Sequence, residues 1–314
     1  MVADLRDFLA SGRSLLLAAS APTPSMREVA EHCGVTLADP GSMVVDHVSY
    51  DTRLGGIHEV VVSGEYHGAA SIVSEGTRAA PLLFSGLGAV VKPKSKVALP
   101  AVTAAASAYT TGGKGGHGGQ AIALVSVSEG TNGGRAAILG SAEALGNAYF
   151  NAGVALPGGE TFARSGNKAF SQDLLEWVLR EKSVLRVSGL KHWKVGGGTQ
   201  DVYKIKDQLG FSITIEELKG GEWVPFDADD VQVEYRMLDP YVRKTLTSDQ
   251  KVSGAPRASA HPPPAATGPA EPLSSRAWTR PRPLDARFEV VRSSPRAAIG
   301  HNQMLERLSA GQLL

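Results

Sequence analysis

A chain of 314 residues, 42% hydrophobic and 20% charged, is long enough to bury the core of one large or two modest domains, and its composition excludes collagen-like, coiled-coil and disulfide-framework classes. Its 32 basic and 31 acidic side chains leave a formal charge of +1, without the overall basic footprint of a dedicated nucleic-acid binder. That balance averages two parts: residues 251–314 hold nine basic and four acidic side chains and nine of the 18 prolines, whereas residues 1–250 hold 23 basic and 27 acidic side chains.

Residues 5–10 carry a short helical pattern stopped by Gly12, and residues 14–19 follow as a continuous apolar run of strand length. Such runs are typical of strands covered on both faces in a parallel sheet. Asp4, Arg6 and Asp7 ahead of this run do not make a signal peptide, and no apolar stretch approaches the roughly 20 residues of a membrane span. A second helix is predicted over 25–32, with Ser25 as N-cap, Glu28 at the capping-box spacing and Gly34 as its stop. Cys33, the single cysteine, excludes an intrachain disulfide and a thiolate zinc site and reads as a small buried packing residue at the end of that helix. Short apolar strands are predicted over 43–45, 59–62, 122–127 and 136–139, and a helix over 171–182 with Leu174, Leu175, Val178 and Leu179 on one face. These elements predict an α/β domain over residues 1–183 built on a flavodoxin- or Rossmann-like parallel sheet.

After Ser183 the apolar period drops to two. Phe211, Ile213 and Ile215 alternate with Ser212, Thr214 and Glu216, and Val231, Val233, Tyr235 and Met237 alternate with Gln232, Glu234 and Arg236. Half-buried antiparallel strands follow from that pattern, with Gly220-Gly221 as a hairpin turn, and residues 184–247 are read as a small, partial β-sandwich domain. From Ser248 the chain is rich in Pro, Ala and Arg with almost no apolar period; residues 248–314 are expected to be a disordered tail, with a helical turn or two over 302–308 at most.

Chemistry-bearing residues are few. The run from Gly112 to Gly119 matches the dinucleotide fingerprint through Gly113, Gly115 and Gly118, but an apolar strand rather than a helix follows it, and the residue after Lys114 is Gly where a phosphate-binding loop needs Ser or Thr. A flexible loop is the better reading. Asp46, His47 and Asp51, just past a buried-looking strand, are the densest polar cluster and have the residue types of an acid/base group or weak metal ligands. Holding a strand-end loop by hydrogen bonds needs the same types. His58, His67, His117 and His192 are scattered without ligand spacing, no Gly-x-Ser-x-Gly surrounds Ser20, and Asp227-Ala228-Asp229-Asp230 lacks the Gly and terminal Glu of a calcium loop. Arg276, Arg280 and Arg282 beside Trp278 fall in the compositionally biased tail.

One block is long, gap-free and unusual: Trp223-Val224-Pro225-Phe226-Asp227-Ala228-Asp229-Asp230-Val231-Gln232-Val233-Glu234-Tyr235-Arg236-Met237-Leu238-Asp239-Pro240-Tyr241-Val242-Arg243. Gly12 to Ser20, Val45-Asp46-His47 with Tyr50-Asp51, Pro81-Leu82-Leu83-Phe84, Ser165-Gly166-Asn167, Trp177-Val178 and Val184 to Val187 accompany it in order. In these residues the chain resembles the family of the 48 kDa subunit of the eukaryotic oligosaccharyltransferase, from about Leu5 to about Leu246.

That resemblance implies a luminal α/β domain followed by a β-domain, and a non-catalytic accessory role supporting transfer of a dolichol-linked oligosaccharide to asparagine. The implied partners are the other subunits, including the catalytic one, with dolichol-linked glycan a candidate and nucleic acid not expected; the implied place is the endoplasmic reticulum membrane. No cofactor, metal or catalytic residue is implied. The family also carries further strands before this chain begins, a signal peptide and a C-terminal membrane anchor, so the expectation is an incomplete sheet and a product truncated at both ends. The alternative is a soluble α/β enzyme or sugar-binding module using Asp46, His47 and Asp51.

Overall fold

The computed structural model describes residues 2–54, 58–67, 72–93, 95, 97–112, 116–199, 209–226, 231–236, 240–249, 257–260 and 287–292. The chain divides into two compact units between Ser183 and Val184.

The first unit opens with helix α1 (Val2–Ala10), strand β1 (Leu15–Ala18) and helix α2 (Pro24–His32). Here the sequence reading is corrected by two residues: Thr23, not Ser25, is the N-cap, and its hydroxyl accepts a hydrogen bond from the Met26 amide at 3.3 Å. Pro24 explains the shift, since a residue without an N–H and with its φ already helical belongs at the first helical position. Gly34 follows the helix at φ +82, and buried Cys33 packs under it, where burial pushes its thiol up to about 11. The chain continues through β2 (Val35–Leu37), β3 (Met43–Val45), β4 (Val61–Ser63), the single turn α3 (Glu75–Arg78), β5 (Leu82–Phe84), β6 (Ala89–Val91), β7 (Ala98–Thr103), β8 (Tyr109–Thr111), β9 (Ala123–Glu129) and β10 (Arg135–Leu139). It closes with α4 (Asn147–Phe150), β11 (Val154–Ala155), β12 (Thr161–Phe162) and α5 (Asn167–Val178).

The main sheet runs β1-β10-β9-β6-β2, with β7 also on β9. β1 and β10 are parallel, whereas β10 with β9, β9 with β6 and β7, and β6 with β2 are antiparallel. The expected parallel sheet is thus corrected to a mixed one. Five residues, 130–134, join β9 to β10, enough for a hairpin and far too few for the crossover that parallel neighbours need. The apolar-run signal misled because every residue of β9 and β10 is buried, which makes antiparallel strands read like parallel ones. β3 pairs with β8, β4 with β5, and β11 with β12, as separate antiparallel pairs.

One face of the main sheet is covered by α5, which buries Phe170, Leu174, Trp177 and Val178 in the larger core with Phe84 and Leu139. Leu175 and Leu179, expected on that face, are 41% and 61% exposed. The helix starts four residues earlier than predicted because Asn167 anchors its first turn. The fully buried Asn167 amide accepts from the Leu83 N–H and donates to the Leu83 and Ala144 carbonyls, each at 2.8–2.9 Å. A second core lies where α2 and the strands bring Val29, Ala30, Val35 and Ile138 together.

Two buried ionic groups fix the end of α5. Arg135 in β10 pairs with Glu129 across the β9–β10 hairpin at 3.2 Å, both at most 2% exposed, and stacks its guanidinium 4.8 Å from the Trp177 ring. It donates to the carbonyls of Trp177, Lys182 and Ser183 at 2.7, 3.0 and 2.6 Å. Asp173 accepts from the Ser74 amide and hydroxyl and the Thr77 hydroxyl, and pairs with Lys182 at 2.6 Å. Burial alone would raise the Asp173 pKa; Lys182, Thr77 and Ser74 outweigh it and hold it below the usual carboxylate value.

The second unit contains β13 (Leu185–Lys194), β14 (Leu209–Lys219), β15 (Glu222–Pro225), β16 (Val231–Arg236), β17 (Pro240–Thr245), β18 (Thr247–Asp249), β19 (Arg257–Ala260) and β20 (Arg287–Arg292). The sheets run β13-β14-β19-β18, with β15 on β14, and β17-β16-β20, all antiparallel. Phe211, Ile213, Ile215, Val231 and Val233 are buried in one cluster, as their alternation predicts, and Gly220 and Gly221 take φ +59 and +83 in the β14–β15 turn. Met237 lies outside the described residues, as does the acidic run 227–230. Within the stretch expected to be disordered, residues 257–260 and 287–292 are strands. Phe288, Val290 and Val291 give the latter good strand formers, and pairing with β16 supplies what the short segment could not achieve alone. The rest of that stretch, including the turn expected over 302–308, lies outside the described residues. Among the described residues no helix is long and apolar enough to cross a membrane.

Because the folded pKa of Asp173 is depressed, its contribution to stability is present above the unfolded value near 3.9 and is lost as pH falls through the folded value. The stability gap between the native chain and Asp173→Asn, measured by denaturant unfolding, should therefore be widest at neutral pH and close as pH falls from about 5 towards 2. A gap independent of pH would contradict this role for the carboxylate.

Candidate functional site

β3 ends at Val45, opposite Tyr109 of β8, and the next residue turns inward. The Asp46 carboxylate is fully buried: one oxygen accepts from the Val48 and Ser49 amides at 2.7 and 2.9 Å, and the Ser107 hydroxyl lies 2.9 and 2.8 Å from its two oxygens. Asp51 repeats the device five residues on. One oxygen takes the Arg53 and Leu54 amides at 2.9 Å each, and the other takes the Ala155 amide at 2.7 Å. These are Asx turns, in which an aspartate satisfies amides two and three residues ahead and so fixes a loop.

His47 points the other way. Exposed, it is hydrogen-bonded through Nε2 to the Tyr109 hydroxyl at 2.8 Å, and its ring meets the His58 ring edge to face at 4.1 Å. The Tyr50 ring meets His58 from another side at 4.3 Å. His58 itself has φ +71, in the left-handed region that is uncommon for a non-glycine residue, and its Nδ1 is buried without a hydrogen-bond partner. The loop is tied to β4 by the Asp51 amide to the Val60 carbonyl and the Val62 amide to the Ser49 carbonyl, both 2.9 Å.

The three residues singled out in the sequence are therefore close along the chain but do not form one acid/base constellation. Both carboxylates are occupied by backbone amides, and the His47 hydrogen bond runs to Tyr109. What the sequence concealed is His58, eleven residues away, whose only signal is the histidine itself.

A second polar cluster sits where α/β folds place ligands, past the carboxyl ends of the parallel strands β1 and β10. The Ser20 hydroxyl donates to the Glu143 carboxylate and accepts from the Ala142 amide at 3.1 Å; Ser141 lies 3.3 Å from the same carboxylate oxygen and accepts from the Ala144 amide at 3.2 Å. The Ser20 hydrogen bond, with the backbone amides, holds the Glu143 pKa below the usual value, so this carboxylate clasps a loop as an anion rather than serving as an acid. Backbones pass so close here that a Cβ on Gly140 would stand 2.0 Å from the Leu87 carbonyl oxygen. Ser20 and Glu143 are too far apart in sequence for any motif to join them.

Elsewhere, the glycine run leads from β8 through a three-residue 3-10 turn (Gly119–Ala121) into β9, with Gly118 bridged to Tyr109, and residues 113–115 lie outside the described residues. Among the described residues no α-helix begins there to aim amides at a phosphate. His67 is hydrogen-bonded to the Thr103 hydroxyl at 2.7 Å. Among the described residues no three histidine, cysteine or acidic side chains gather around a metal position. Arg276, Trp278, Arg280 and Arg282 lie outside the described residues.

Comparison with known proteins gives a consistent result. Residues 1–181 match the family model described as OST48, N-terminal domain, and residues 191–260 that of the OST48 middle domain. The chain is similar to the dolichyl-diphosphooligosaccharide–protein glycosyltransferase 48 kDa subunit of Arabidopsis thaliana, 34% identical over 258 residues that make up 79% of this chain and 59% of that protein. The subunits of the same name from Caenorhabditis elegans (34% over 256 residues; 77% and 58%) and Danio rerio (32% over 251 residues; 76% and 57%) are similar to it as well. The chain thus spans less than two thirds of the length of the curated relatives it matches.

The site geometry separates structural from surface residues. Asp46→Ala, which strands two loop amides and Ser107, should lower unfolding stability by about 2 kcal/mol or more, whereas His47→Ala at an exposed position should stay within about 0.5 kcal/mol. Equal effects in chemical denaturation would contradict the assignment.

Proposed function

This chain belongs to the OST48 family, and on that footing we propose that it acts as a non-catalytic accessory subunit of oligosaccharyltransferase, supporting transfer of a dolichol-linked oligosaccharide to asparagine. The observation that carries the proposal is the family match, which extends over both units of the chain. The names of the relatives supply the reaction, and their role as a 48 kDa subunit supplies the expectation of other subunits, the catalytic one among them. The polar residues are in keeping with that reading: Asp46, Asp51 and Glu143 hold loops through backbone amides and hydroxyls.

In this reading the chain works at the luminal side of the endoplasmic reticulum membrane. Its first unit, in which β1 and β10 keep the parallel pairing of a flavodoxin-like layer with α5 against it, presents a rigid face to its neighbours. Dolichol-linked glycan is then met in company with the catalytic subunit.

An affinity-tagged chain expressed in cells and recovered from mildly solubilised membranes tests this. Co-purification of the catalytic subunit in near-stoichiometric amount, retained in His47→Ala, is the expected result. Recovery of the chain free of every other transferase subunit would overturn it.

A further inference from the structure

We propose that His47 and His58 together bind one divalent transition-metal ion, with zinc as the natural probe. The chemistry rests on three observations that the accessory role does not use. First, the loop brings two imidazoles separated by eleven residues to a ring distance of 4.1 Å. Second, His47 is fixed through Nε2 by the Tyr109 hydroxyl at 2.8 Å, the arrangement in which a ligating histidine is oriented by a partner on its other nitrogen, leaving Nδ1 for the ion. Third, His58 Nδ1 is buried with no hydrogen-bond partner, on a residue held at φ +71. A buried unpaired nitrogen is unfavourable, and a metal ion takes the lone pair it offers.

The rings now stand closer than two imidazoles sharing an ion with Zn–N bonds near 2.0–2.1 Å, so binding requires them to open by on the order of 1 Å. His47 and Tyr109 both lie at the surface, so the hydrogen-bonded pair opens together towards solvent, with the 2.8 Å bond kept. Asp46 and Asp51 are committed to backbone amides, and among the described residues no third histidine, cysteine or carboxylate completes the set, so the remaining positions fall to water. An all-imidazole protein ligand set suits zinc, copper or nickel and not calcium or magnesium.

Calorimetric titration of zinc chloride into the full chain tests the site. The expected result is saturable one-to-one binding, weakened at least about tenfold in His47→Ala and in His58→Ala, and unchanged in His117→Ala, which alters an exposed histidine on another loop. Because His58→Ala sits in a constrained backbone, the exposed His47→Ala variant, with a thermal transition matching the native chain, decides the matter. Absence of saturable zinc binding at millimolar concentration, or native affinity in His47→Ala, would overturn the proposal. The co-purification of transferase subunits is independent of either outcome.

Discussion

The first unit hangs on a guanidinium. Arg135 lies in β10, next to the single parallel junction described in the sheet, and neutralises Glu129 on β9 while its remaining N–H groups reach one carbonyl in the last turn of α5 and two past its end. Burial, with Arg180 nearby, pulls its pKa down and Glu129 only partly restores it, yet a guanidinium stays charged under any folding condition. Such a charge is tolerable inside a protein only when every donor has a partner. The helix stop, the backbone of residues 182–183 and the β9–β10 hairpin are therefore set together: moving one would leave a buried charge or carbonyl unmatched. Trp177, stacked on the guanidinium and buried in the larger core, carries the constraint to the rest of the helix face.

Much of this was legible in the sequence, and the misses have physical causes. The strands at 43–45, 122–127 and 136–139 and the alternation of Phe211, Ile213 and Ile215 lie where their apolar patterns place them. Strand direction was not legible, because burial on both faces erases the alternation that marks antiparallel strands. The apolar pattern starts α5 four residues late, since Asn167, a polar residue, is its buried anchor, and it puts Leu175 and Leu179 on the inner face that Phe170 and Trp177 occupy. Capping by Thr23 was hidden by a better-looking box at Ser25. In the candidate site, the importance of Asp46 and Asp51 was visible, but the hydrogen bonds that decide their role are long-range or backbone-directed, and His58 could be joined to His47 only by the folded loop.

A common logic runs through the polar residues. Asp46, Asp51, Glu143, Asp173, Asn167 and Arg135 are the residue types from which active sites are made, and each is used here to satisfy backbone amides, carbonyls or a neighbouring side chain in a region rich in short strands and loops. With 36 glycines in the chain and many strands of only three or four residues in the first unit, regular ladders do not satisfy every backbone group, and buried side chains complete the pairing. That economy of polar groups fits the accessory role proposed above for this member of the OST48 family.

The central claim is that Arg135 is the clasp of the first unit, and a comparison of Arg135→Met with the double replacement Arg135→Met/Glu129→Met in denaturant unfolding tests it directly. Removing the arginine alone leaves Glu129 buried without its cation and should cost about 3–5 kcal/mol. Removing both should recover part of that loss but not all, because the carbonyls of Lys182 and Ser183, and one of the two bonds to the Trp177 carbonyl, still lose the guanidinium that donates to them. Loss of less than about 1 kcal/mol in the single variant, or full recovery in the double one, would contradict the account.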